Sequence, residues 1–202
     1  MPAPESTTGS RFTDQAEGLV ALPEGSWRFP SPDIPRDPRR INPALLNDLR
    51  DLCAGKAQWP LFLFGEVDTG KTRAALCLGD VSGGWYLELP NLCRMLITAG
   101  KGELQWSSGY RRTEGEIWDA IQSTSLIILD EIGTKDNTTD NHYEVTKRVL
   151  DMRAGRPAVY ISNLDVDGIE AVYDDRVASR MSCGTLFQTG PDRRIEESEG
   201  VS

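Results

Sequence analysis

Along the chain, short wholly apolar runs alternate with longer stretches whose apolar residues recur every three or four positions. LFLF, Leu61 to Phe64, is the first such run. A run apolar at every position suits a strand buried on both faces of a parallel sheet. Trp85 to Leu89, Leu126 to Leu129, Ala158 to Ser162 and about Thr185 to Gln188 predict four further strands. Helical spacing fills the intervals. Asn42-Pro43 opens a helix with Leu45, Leu46, Leu49 and Leu52 as its apolar stripe. A second helix is expected from about Lys71 to Leu78, and a third after Pro90, with Leu92, Met95, Leu96 and Ala99 in register. Thr113 and Glu116 form a capping box for a helix that turns Ile117, Trp118 and Ile121 inward. Val145, Val149 and Met152 line a helix running to about Ala154, with Gly155 as its stop. Strands alternating with helices predict an α/β fold built on a mainly parallel, five-stranded sheet.

This pattern begins only near Ile41. Residues 1–40 are rich in Pro, Ser, Gly and charge, as in FPSPDIPRDPRR, and read as a flexible arm. Leu19, Val20, Leu22, Trp27 and Phe29 offer short anchors for a partner or for the body of the protein. Residues 41–190 form one globular domain, and residues 191–202 are expected to be a disordered acidic tail. No apolar run reaches the roughly 18 residues of a membrane span. The start MPAPESTTGS lacks the basic and apolar parts of a signal peptide. Cys53, Cys77, Cys93 and Cys183 show neither paired nor disulfide-dense spacing, so they read as small, mostly buried thiols in a reducing cytoplasm. A formal charge of −9 argues against a surface that clings everywhere to nucleic acid. A local basic patch, or a groove completed by several subunits, remains compatible with it.

Chemistry enters directly after the first strand, in GEVDTGKTRAAL. Gly65, Gly70, Lys71 and Thr72 fill the phosphate-loop spacing. Between a buried strand and a helix, backbone N–H groups and the helix N-terminus converge on an anion. Gly65, Glu66, Val67, Asp68, Thr69, Gly70, Lys71, Thr72 and Arg73 are therefore expected to surround the phosphates of ATP. Lys71 would reach the β- and γ-phosphates and the Thr72 hydroxyl would bind Mg²⁺. In LIILDEIG, adjacent carboxylates sit at a strand's C-terminal end, where ligands bind in open α/β sheets. Asp130 is expected as a water-mediated Mg²⁺ partner and Glu131 as the group that orients and polarises the attacking water. Asn163, in YISNL, suits a bond to the γ-phosphate or that water, with a turn residue after a strand as the lesser alternative. DDRVASRM sets Arg176 and Arg180 on one helical face, with Val177 and Met181 toward the core. Such arginines usually form a solvated face. Here they also suit a finger reaching a neighbouring subunit's nucleotide.

These four signals, in this order, resemble the AAA+ ATPases, and within them the DnaC/DnaI helicase loaders and the IstB transposition helpers. The resemblance spans about residues 42–190 and is densest in LIILDEIGTKDNTTDNHYEVTKRVLDMRAGRPAVYISNLD and DDRVASRM. It implies a three-layer P-loop domain without a large C-terminal lid. It also implies ATP with Mg²⁺, Asn163 as sensor-1, and Arg180 as a finger in a side-by-side assembly. The partners it implies are single-stranded DNA and a replicative helicase, or a transposase for the IstB type. Two departures stand out. Asp68 holds a position usually occupied by Gly in the family, which would weaken nucleotide affinity unless its carboxylate turns outward. The short arm also carries no zinc-ligand set.

AGKGELQWSSGYRR interleaves Lys101, Arg111 and Arg112 with Trp106 and Tyr110, a mix that suits phosphate contacts and base stacking. The same residues equally suit an exposed connection with anchoring aromatics. His142 shares the stripe of Val145, Val149 and Met152 and reads as packed rather than catalytic. The leading expectation is an ATP-switched helicase loader. A transposase helper, or a nucleotide-binding adaptor with little hydrolysis, stands as the alternative.

Overall fold

The sheet has the strand order β2-β3-β4-β1-β5, and every neighbouring pair is parallel. The computed structural model describes residues 33–102, 113–134 and 140–190. The strands are β1 (Leu61–Phe64), β2 (Trp85–Glu88), β3 (Ile127–Ile132), β4 (Ala158–Ser162) and β5 (Thr185–Gln188). The helices are α1 (Pro43–Cys53), α2 (Lys71–Ser82), α3 (Leu89–Gly100), α4 (Glu114–Ser123), α5 (Asp140–Met152), α6 (Val166–Val172) and α7 (Asp175–Ser182).

Because strand side chains alternate between faces, the sheet feeds two cores. Leu61, Leu63, Tyr86, Ile128, Val159 and Ile161 meet α1 and α2 on one face. Phe62, Leu87, Ile127, Leu129, Ala158 and Tyr160 meet α3, α4, α5 and α7 on the other. This gives three layers, with each buried Leu or Ile contributing about 1.5–3 kcal/mol of transfer free energy. The helix starts follow their sequence signals. Asn42 accepts from the Ala44 N–H at 2.9 Å, and both arms of the Thr113–Glu116 capping box form. The Arg153 guanidinium is buried without a carboxylate partner among the described residues. It donates instead to carbonyls of Ile121, Gln122, Thr124, Ser125 and Pro157. These carbonyls belong to the end of α4 and the approaches to β3 and β4, where a helix's negative end favours a cation.

Several bounds differ from expectation; Leu89, expected to end β2, is instead the first residue of α3. α2 continues to Ser82 and stops at Gly83 with φ +69°. β3 runs through Asp130-Glu131 to Ile132, with a shift in register against β4 between Leu129 and Ile132. Glu131 takes φ +62° at that shift, so the strand resumes after a bulge instead of ending. α6 is not among the expected helices: Asp165 caps its start, accepting from the Gly168 N–H at 2.8 Å, but Ile169 alone in its short span is buried, so it shows no apolar stripe. At the N-terminal end of the described chain, Ile34 packs against the α1–α2 core. Arg36 pairs with Asp80 on α2 at 2.5 Å. Among the described residues no helix is long and apolar enough to cross a membrane.

Candidate functional site

The loop between β1 and α2 owes its shape to glycines at two points. Gly65 has φ +131°, and a Cβ there would stand 2.6 Å from Thr189 Oγ1 and 2.7 Å from the Thr189 carbonyl oxygen. Gly70 has φ +89° and directly precedes the first residue of α2. Both require a residue without a side chain. Asp68 takes φ +61°, the left-handed conformation that Asp tolerates better than most residues. Thr189, just past β5, holds the loop from the side. Its N–H donates to the Phe64 carbonyl at 2.8 Å, and its hydroxyl shares a hydrogen bond of 2.5 Å with that of Thr69.

Lys71 is buried, and its ammonium donates to the Gly65 and Glu66 carbonyls at 2.8 and 2.5 Å. Burial lowers its pKa, while the Asp130 charge acts in the opposite direction. One helical position further on, the Thr72 hydroxyl donates to Asp130 Oδ2 at 2.8 Å, which joins the loop to the end of β3. The buried Asp130 is held from two more sides. Tyr86 donates its phenol to the same oxygen at 3.0 Å, and the Glu131 N–H donates to Oδ1 at 2.7 Å.

Glu131 opens onto the same cleft. Its pKa is raised, first by partial desolvation, then by the charges of Glu88 and Asp130. Glu88 lies opposite Asp130 in the β2–β3 register, and Asn91 donates to it from the first turn of α3. The cleft measures about 480 Å³, within the range of small-molecule sites. Residues 67–73 form its floor. Asp130, Glu131 and Asn163 stand at the strand ends, and Asp33, Ile34 and Pro35 reach it from the N-terminal side. Its walls carry five carboxylates (Asp33, Asp68, Glu88, Asp130 and Glu131) against two cations, Lys71 and Arg73. That excess of negative charge bears on how a phosphate chain could enter.

The structure thus gathers Val67 to Arg73, Asp130, Glu131 and Asn163 in one cleft, while Gly65 and Glu66 shape the loop and receive Lys71. Arg180 does not line this cleft. It is exposed on α7 and paired with Asp151 of α5 at 2.7 Å; Arg176 is exposed on the same helix. Lys101 is exposed at the end of α3, whereas Trp106, Tyr110, Arg111 and Arg112 lie outside the described residues. His142 is half-buried on α5, and desolvation lowers its pKa. Sequence reasoning missed Tyr86, Glu88, Thr189 and Asp151. Each acquires its place from a neighbour distant in the chain, so local periodicity holds no signal for any of them.

No protein-family model matches the chain, and no curated protein matches it. Solved structures do. The replication initiator DnaA bound to AMPPCP and single-stranded DNA superposes with a TM-score of 0.60 at 17% identity, over 79% of this chain and 51% of that one. The DnaC helicase loader superposes with a TM-score of 0.59 at 13% identity, over 73% of this chain and 89% of that one. DnaI superposes with a TM-score of 0.55 at 19% identity, over 72% of this chain and 82% of that one. The chain spans about half the length of this DnaA and most of the length of DnaC and DnaI. By its strand order, its layers and these likenesses, the described chain shares the fold of these proteins, a three-layer α/β domain on a five-stranded parallel sheet.

Proposed function

We propose that the chain binds ATP with Mg²⁺ in the cleft at the strand ends and hydrolyses it, as a helicase loader of the DnaC type. The observation that carries the nucleotide reading is the Thr72–Asp130 hydrogen bond beside the buried Lys71. It brings together a phosphate-facing cation and a hydroxyl–carboxylate pair of the kind that binds Mg²⁺. The donor set fits the metal. Thr72 and Asp130 offer hard oxygens, and a cleft with three more carboxylates than cations admits a polyphosphate best when a divalent ion accompanies it. Bound there, Mg²⁺ would neutralise charge on the β- and γ-oxygens.

The remaining residues take roles from their positions. Loop N–H groups and the start of α2 orient the phosphates, and Lys71 turns its ammonium toward them from the loop carbonyls. Glu131 accepts a hydrogen bond from the attacking water, and its raised pKa makes it a stronger base than an ordinary carboxylate. Asn163 holds the water or the γ-phosphate from the end of β4. Arg180 serves the phosphate loop of a second copy, because its own cleft lies elsewhere. DNA contact is assigned to Lys101, Trp106, Tyr110, Arg111 and Arg112. It is supported by their chemistry and by the single-stranded DNA bound to the DnaA neighbour.

The likeness to the DnaC helicase loader favours a replicative helicase as partner. Calorimetry with ATP and Mg²⁺ tests the nucleotide reading: Lys71→Ala abolishes binding, while Glu131→Gln keeps binding and loses turnover. ATP bound as tightly by Lys71→Ala as by the parent would remove the reading. Affinity capture in ATP and Mg²⁺ tests the partner. Recovery of a helicase supports loading, and recovery of a transposase replaces it with the transposition role.

A further inference from the structure

The site contains a polar group that neither the loop nor the strand-end carboxylates account for. Tyr86 is buried in the middle of β2, its ring set among the apolar residues beneath α1 and α2. Phenylalanine would fill the same space. The hydroxyl is therefore the feature that needs a reason, because a buried O–H must find a partner. Among the described residues its hydrogen-bond partner is Asp130, at 3.0 Å.

The geometry of that bond is specific. Tyr86 stands opposite Ile128 in the β2–β3 register, so it reaches diagonally along β3 to the carboxylate two residues further on. It donates to Oδ2, the oxygen that also accepts from the Thr72 hydroxyl, while the Glu131 N–H holds Oδ1. Three donors from three parts of the chain thus fix one carboxylate in both position and rotation.

We infer that Tyr86 is a positioning residue for Mg²⁺: its phenol holds Asp130 Oδ2 against Thr72, setting the oxygen pair that a nucleotide-bound metal meets. This rests on the nucleotide and metal reading above and adds a residue to it. Groups that hold a metal's ligands, without touching the metal themselves, set its affinity by restricting where those ligands point. Removing the phenol would free Asp130 to rotate about its remaining bonds. The phosphate loop itself would be untouched.

The test compares the affinity of the full-length chain for a non-hydrolysable ATP analogue in MgCl₂ and in EDTA. The ratio of the two affinities reports the metal's contribution. In Tyr86→Phe that ratio is expected to fall about tenfold, with affinity in EDTA unchanged. In an Asp130→Asn background, where the carboxylate is already lost, Tyr86→Phe should change the ratio no further. Thermal melting of each variant confirms that it is folded. An unchanged ratio in Tyr86→Phe, or equal losses with and without metal, would reduce Tyr86 to a packing residue and overturn the inference alone. A parent that binds the analogue equally in MgCl₂ and EDTA would overturn both the inference and the metal, leaving nucleotide binding in place. A parent that does not bind it at all would remove the whole reading.

Discussion

The phosphate loop and the arginine helix are both part of the proposed ATP site, but they are built in opposite ways. In the loop, the backbone path comes first and the side chains fasten it. Gly65 and Gly70 permit the backbone path, Thr189 clamps it, and Lys71 is buried against its carbonyls. On α7 the scaffold is ordinary. Val177, Ala178 and Met181 are buried, and the group the proposal uses is Arg180, exposed and paired at the surface with Asp151. The loop half of the proposed site is built within the chain. The other half has chemistry to offer but nothing in its own cleft to act on. Under the proposed reading, the assembly and not the single chain would be the unit of activity.

Damage to the loop should give the largest effect. Gly65→Ala places a methyl group within 2.7 Å of the Thr189 backbone oxygen and strains a residue at φ +131°. Strain of this kind costs about 1–3 kcal/mol, so nucleotide affinity should fall by roughly tenfold or more, with a lower melting temperature. Calorimetry and thermal melting check both. An equivalent change on the exposed face of α7, such as Ser179→Ala, should leave nucleotide binding intact.

Asp68 sharpens the same contrast in the other direction. Asp68→Gly removes a carboxylate from the cleft wall and relieves a left-handed backbone position. ATP should bind about threefold to fivefold more tightly, and the gain should shrink as salt rises, because the repulsion is screened. Weaker binding would show that the carboxylate has a positive role in the loop.

The smallest expected effect lies on the arginine helix. The Arg180–Asp151 pair is about half exposed on both sides, and surface pairs of this kind contribute about 1 kcal/mol at most. If Arg180 must leave Asp151 to reach a neighbour, Asp151→Asn should raise ATPase activity by about twofold, without changing nucleotide affinity. Lower activity would mean that Asp151 orients the arginine for its task.

The contrast also explains which parts could be read from sequence. The strands, the phosphate loop and the Thr113–Glu116 capping box are local, and their residue types carry their own physical reasons. The inward positions of Val177 and Met181 follow from helical spacing in the same way. Tyr86, Glu88, Thr189 and Asp151 could not be found by such means. Tyr86 and Glu88 reach the carboxylates only because β2 lies beside β3, and Thr189 reaches the loop only because β5 lies beside β1. Strand order is a property of the packed sheet and leaves no periodic trace. The bulge at Glu131 was hidden for a related reason: an acidic pair after four apolar residues looks like the end of a strand, yet β3 resumes at Ile132.

The most direct test of a site divided between copies is a mixing experiment. Arg180→Ala keeps the phosphate loop and Glu131, whereas Glu131→Gln keeps Arg180. Each variant alone should bind ATP and hydrolyse it poorly. Combined, they should recover part of the parent's ATPase activity, because one kind of interface joins an intact Glu131 to an intact Arg180. The parent's specific activity should likewise rise with protein concentration as copies meet. Undiminished ATPase activity in Arg180→Ala, or a demonstrated monomer whose activity is independent of concentration and is not rescued on mixing, would contradict the divided site.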